Sequence, residues 1–297
     1  MFLKSFDCVG ESLSLEFLAF QVVSAMNKVA IDKICFRKEI SSSLRVLRRA
    51  AVASILATTS VVSHAASEEI QVYLDDLRAP GQLGVDMHNN FAASGRTAPD
   101  YPGEQAPGKV YRLTPEFAYG LTKTTELGFY FLSTRDPQAN LHGDGIKARI
   151  KYIAPHDLES GPFWGVNIEV GRSSRRVSET PWNAEIKGIL GLRAGRWTLA
   201  VNPNVDWSLS QGGGPVTGDV DFKANYAIDS KTQVGLESYN EFGPLRHLST
   251  SATNGRTVFA VVDKDFGKFD LNAGVGRGLS QAADKWVIKV IVGTNFN

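Results

Sequence analysis

The chain has 297 residues, with 32 Lys/Arg against 31 Asp/Glu and a formal net charge of +1. So even a balance implies neither a nucleic-acid partner nor an acidic surface to bind. Mean hydropathy is near zero, which fits a barrel whose strand faces alternate between apolar and polar.

Compartment is written near the start. Arg45, Arg48 and Arg49 precede Ala50–Val62, a short run of small and apolar residues, and Ser63-His64-Ala65 offers small residues at −3 and −1 of a cleavage site. This is the pattern of a secretory leader over 45–65, too short to span a membrane as a helix. Residues 1–44 form an N-terminal extension longer than a leader needs, which suggests that translation begins later, at Met26. Cys8 and Cys35 both lie upstream of the cleavage site, so the mature chain is expected to hold no disulfide and no thiolate. Removing the eight cations and five anions of residues 1–65 leaves 24 against 26 in the mature part. Nothing there is continuously apolar over eighteen residues, so no helix is expected to cross a membrane.

Residues 66–81 carry a brief alternation (Ile70, Val72, Leu74) and end in Pro80-Gly81. They are assigned to a periplasmic N-terminal segment, with a piece of plug as the alternative. From Gln82 to Asn297 the pattern is that of strands. Leu83, Val85, Met87 and Phe91 share one face, and Asp86, His88 and Asn90 the other. A long Gly/Pro-rich loop over 94–108 leads to Val110–Tyr119, then to Glu126–Arg135, a loop at Asp136–Gly143, and Asp144–Ile153. Phe163–Arg172, Trp182–Leu192 and Trp197–Leu209 follow, the last two joined by the tight turn Arg193-Ala194-Gly195-Arg196. Asp219–Ile228, Gln233–Glu241, Arg256–Asp265, Phe269–Arg277 and Lys285–Phe296 complete the set. In Arg256–Asp265 both faces are apolar and the inward one cannot be read off.

Twelve strands of about ten residues each have the length that crosses a bilayer at a tilt. Long polar connections mostly alternate with short turns, as in an outer-membrane barrel with long loops outside. The expected fold is therefore all-β: a transmembrane, antiparallel, up-and-down barrel in the bacterial outer membrane. Trp164, Trp182, Trp197, Trp207 and Trp286 all fall on the apolar parity near strand ends, where a membrane girdle belongs. In the last strand Trp286, Ile288, Val290, Val292, Thr294 and Phe296 alternate with Val287, Lys289, Ile291, Gly293 and Asn295. A C-terminal strand with an aromatic at its end resembles the insertion signal of such barrels; here Phe296 is penultimate. A soluble β-sandwich is the competing reading of the same alternation.

Pro115-Glu116-Phe117-Ala118-Tyr119-Gly120-Leu121-Thr122, with Glu126-Leu127-Gly128, resembles the strand–turn–strand signature of a family of outer-membrane transporters named after the meta pathway of phenol degradation. The basic strand Lys147–Tyr152 and the glycine-spaced Asn272–Arg277 are similar too. The resemblance implies an outer-membrane channel or transporter with apolar or aromatic cargo. Its motifs describe barrel geometry and name no binding site.

No serine sits in a nucleophile elbow, and of the mature histidines (His88, His142, His156, His247) only His88 lies on a clear strand. No catalytic residue, metal or cofactor is expected. Asp86 and His88 share a face, but two ligands do not make a metal site, and a hydrogen-bonded lumen histidine is the plainer account. Gly274–Gly278 lies in a strand with no helix after it and so lacks a phosphate cradle. The inward face is the informative set: Arg112, Glu116, Glu126, Lys147, Arg149, Lys151, Glu169, Lys187, Asp206 and Lys289. Read structurally it is a cross-strand ion network stiffening the barrel; read functionally it is a polar pathway for small solutes. A channel or transporter for small molecules is the first reading, with an envelope barrel enzyme acting on lipid and a plugged structural or adhesive barrel as alternatives. The partners expected are outer-membrane lipid, the barrel-assembly machinery and a small-molecule solute, with no nucleic acid.

Overall fold

The computed structural model describes residues 69–296. The extension 1–44, the leader 45–65, and Cys8 and Cys35 lie outside the described residues. Twelve strands follow one another: β1 (Leu83–Ser94), β2 (Tyr111–Gly120), β3 (Thr125–Arg135), β4 (Leu141–Ile153), β5 (Gly161–Ser173), β6 (Trp182–Ala194), β7 (Trp197–Ser208), β8 (Thr217–Ala227), β9 (Thr232–Pro244), β10 (Arg256–Asp265), β11 (Asp270–Gly278) and β12 (Trp286–Phe296). Each pairs antiparallel with its sequence neighbours, and β1 pairs β12 from Leu83↔Phe296 to Ser94↔Trp286, closing the sheet. Closure leaves no unpaired strand edge, a condition for crossing a bilayer.

Alternation decides which face looks where. Phe117, Leu127, Phe129, Phe131, Ile150, Ile168 and Leu190 point outward and are exposed, whereas His88, Arg112, Glu116, Arg149, Lys151, Asn167, Asn202, Glu237 and Lys289 are buried. A soluble β-protein buries the first group and exposes the second. The arrangement is inside-out, as hydrocarbon solvent requires, so the sandwich reading is excluded and the fold is a transmembrane barrel. Among the described residues no helix is long and apolar enough to cross a membrane; the crossing is made by strands. With twelve strands at ~4.8 Å and a tilt of about 40°, the backbone diameter is roughly 24 Å.

Two local features differ from the sequence reading. β4 begins at Leu141, so the expected loop Asp136–Gly143 contracts to a tight turn in which the Asp136 amide donates to the Asn140 carbonyl at 3.0 Å. The pairing then shifts between Leu132↔Gly145 and Ser133↔Gly143, leaving Asp144 as the extra residue of a bulge. Gly145 follows at φ +152°, and a Cβ there would stand 2.2 Å from the Arg172 carbonyl oxygen. The second feature is β10, whose inward face carries Phe259 and Val261. They are buried because Ile70 packs on them, together with Val287 and Tyr239. The ambiguous apolarity of β10 is thus a lumen face with an apolar occupant.

Candidate functional site: the lumen and its strap

Residues Glu69 to Asp75, part of the segment expected in the periplasm or as a piece of plug, pack against inward-facing residues of the barrel, and Asp76 and Ala79 after them are exposed. Val72 and Tyr73 are buried, and with Leu74 and Leu77 they meet Ile153, Phe163, Ile189 and Ala200 of the inner wall. The physical reason is the apolar parity of Ile70, Val72 and Leu74. It finds partners where the lumen wall is apolar: Ile153, Phe163, Ile189 and Ala200 on β4–β7, and Phe259, Val261 and Val287 on β10 and β12. The wall's side chains also bind the strap's backbone. The Tyr73 amide donates to Asn202 Oδ1 at 2.6 Å, and Asn202 Nδ2 donates to the Tyr73 carbonyl at 3.1 Å. Lys289 Nζ donates to the Ile70 carbonyl at 3.0 Å and Lys151 Nζ to that of Asp76 at 2.7 Å, while the Arg78 amide donates to Glu126 Oε2 at 2.7 Å.

Tyr73 stands inside the lumen against β3–β7. Its hydroxyl is 2.8 Å from that of Tyr130 and donates to Glu169 Oε1 at 3.3 Å. Its ring has Arg149, Lys151 and Lys187 at 5.7, 5.2 and 5.1 Å from the centroid. At the end of the barrel carrying the short turns, Asp75 accepts from Arg193 Nε at 3.1 Å and pairs with His156 Nε2 at 2.8 Å. His156 lies in the connection after β4 and also bonds the Ala154 carbonyl at 2.8 Å. That carbonyl first, and the Asp75 carboxylate second, raise the imidazole's pKa above its ordinary value. Arg78 then pairs with Asp86 at 2.5 Å, and the Gly81 amide reaches the Gly120 carbonyl at 2.8 Å.

The ten residues expected to line the lumen all sit on its inward parity. Arg112, Glu116, Glu126, Arg149, Lys151, Glu169 and Lys289 are buried, and Lys147, Lys187 and Asp206 half-buried. They gather into separate networks. Arg149 bridges Glu116 (Nε–Oε1 2.7 Å) and Glu126 (2.7 Å), and Glu116 also meets His88 at 3.2 Å. Lys223 joins Glu237 (3.1 Å) and Asp263 (2.8 Å), with Lys289 on the other oxygen of Glu237. Lys187 faces Glu185 at 3.4 Å, across from Asp206 in the register, beside Asn204 and Asp221 at 3.0 Å from each other. Asp86 and His88 are thereby committed to Arg78 and Glu116. Among the described residues no three His, Cys, Asp or Glu side chains are placed to hold a metal ion.

The far mouth is crossed by the first long connection. The Gln105 amide donates to the Arg176 carbonyl at 2.8 Å, Arg176 donates back to Gln105 Oε1 at 3.1 Å, and the Arg96 amide meets Asp284 at 3.3 Å. Asp144, turned in by its bulge, accepts from Thr134 at 2.6 Å and Ser174 at 2.8 Å. The five tryptophans point outward, Trp182, Trp207 and Trp286 near this mouth and Trp164 and Trp197 near the other. Phe296 is exposed beside Leu83. Sequence reasoning did not reach Tyr73, Asp75, Tyr130, Asn202 or Arg193 as members of one site. The only signal for them was the alternation Ile70–Leu74 followed by Asp75-Asp76.

The chain matches no family model and no curated protein. Among solved structures it is similar to an outer-membrane channel from Pseudomonas putida F1, at 12% identity and TM-score 0.54, covering 77% of this chain and 100% of that one. The KdgM porin (9% identity, TM-score 0.49) and the NanC porin (10%, 0.47) each cover 72% of this chain and 99% of their own. At such identities the likeness concerns the fold, and the fold is that of a bacterial outer-membrane barrel.

Proposed function

We propose that this protein is an outer-membrane channel for small solutes. The observation that carries the reading is the lumen itself. A barrel kept only for rigidity needs its inner wall filled. Here most of the wall is polar and charged, apart from the apolar patches on β4–β7 and on β10 and β12, and the closed sheet is complete without the strap that lies inside it. Small solutes fit a barrel of this girth once side chains are subtracted, and proteins do not. Phe296, at the free end of the closing strand, is the residue we assign to recognition by the assembly machinery. The outward tryptophans are assigned to the lipid interface. The sequence resemblance adds apolar or aromatic cargo to the reading.

Planar-bilayer recording with purified protein tests the channel. Discrete openings are expected, and a bilayer silent across a range of voltages, for wild type and for variants that loosen the strap alike, counts against it. Cargo is tested by growth and uptake of a deletion strain on a panel of solutes. A defect confined to aromatic compounds is expected, and unimpaired uptake of them removes the cargo assignment.

A further inference from the structure

We propose that Glu69–Arg78 is a tethered gate: it closes the channel with the Tyr73 ring, is latched by Asp75, and opens by withdrawing toward the short-turn end of the barrel. The inference rests on the channel reading and adds its regulation.

Three observations carry it. First, the strap contacts the wall almost all the way round. Tyr73 and its neighbours touch Tyr130 of β3, Arg149 and Lys151 of β4, Glu169 of β5, Lys187 of β6 and Asn202 of β7, while Ile70 reaches Lys289 of β12 and Phe259 of β10. An occupant touching both sides of so narrow a lumen leaves solutes no straight path. Second, the strap is no part of the sheet. Its backbone is held by side chains, which lumen water can replace, and β1 pairs β12 and β2 without it. Such a segment can leave the lumen without breaking a ladder hydrogen bond. Third, it is tied to the barrel at Leu83, on the short-turn end, and the fourteen residues from Glu69 to Gln82 reach about 50 Å at most. Withdrawal is therefore directed to that side, and Asp75, held by His156 and Arg193 at that rim, is the contact that must break first.

The test uses the full chain in planar bilayers, with heat-modifiable mobility to confirm folding. Tyr73→Ala and Asp75→Asn are each expected to raise conductance or open probability several-fold over wild type. A second readout needs no conductance. With Cys8 and Cys35 replaced by Ser, Tyr73→Cys should react slowly with an impermeant thiol reagent, and several-fold faster when Asp75→Asn is added. Folded variants that conduct as wild type does, or a cysteine at position 73 that reacts at one rate with and without Asp75, would overturn the gate and leave the channel standing. Openings absent from wild type and both variants would overturn the channel reading and the gate with it.

Discussion

Arg149 shows what a single residue does in this lumen. Its guanidinium is buried between Glu116 and Glu126, with the Tyr73 and Tyr130 rings at 5.7 and 5.9 Å. Removing one partner of a buried ionic group strands the others, at a cost of about 3–5 kcal/mol. Arg149→Ala should therefore lower the unfolding midpoint in urea markedly, and an unchanged midpoint would mean that water already solvates the cluster. His156 makes the pH-dependent contact. Because folding raises its pKa, its bond to Asp75 contributes fully below about pH 6.5, the ordinary histidine value. That contribution fades as pH climbs through the raised value. The strap should accordingly become easier for protease to nick as pH rises past neutrality. His156→Gln should flatten that slope; an identical slope in the variant removes His156 from the latch.

At the scale of the element, β12 is the most instructive strand. Val290 faces outward, paired with Asn89 and Ala273 and far from both strand ends. An arginine there meets hydrocarbon near the midplane, so Val290→Arg should cost about 2–4 kcal/mol. Lys289→Ala, one residue away, changes the lumen face instead. Insertion should proceed, since the lumen face is not in lipid, but Lys289 is fully buried against Glu237 and the Ile70 carbonyl. The variant should therefore fold with lowered heat resistance and a looser strap, read by gel mobility and protease nicking. A Val290→Arg barrel as stable as wild type, beside a Lys289→Ala chain that never folds, would reverse the two faces.

For the whole molecule, orientation is the testable property. The strand order brings the long connections to one end and the short turns to the other, with β1 beginning and β12 ending on the short-turn side. Single cysteines at Gly103, Asn140, Gly213 and Ser251 should react with an impermeant reagent on intact cells; those at Lys123, Gly195 and Lys231 should not. The opposite pattern would invert the barrel, and uniform labelling would mean a protein released from the membrane.

The sequence by itself determined the wall. Period-two alternation is local, so apolar parity told the outward face strand by strand, and turn residues separated twelve strands, with β10 alone left undecided because both its faces are apolar. Charge pairs across neighbouring strands, such as Glu126 opposite Lys151, follow once antiparallel order is assumed. What fills the wall was decided only by tertiary structure. Tyr73 and Asn202 are 129 positions apart, and nothing in a strand pattern says that a short segment before the first strand turns back into the barrel. Its alternation fits a free strand as well as a strap. The choice depends on the apolar patch that Ile153, Phe163 and Ile189 form only after β4, β5 and β6 lie side by side, and on the carboxylate of Asp75 finding Arg193 at the rim.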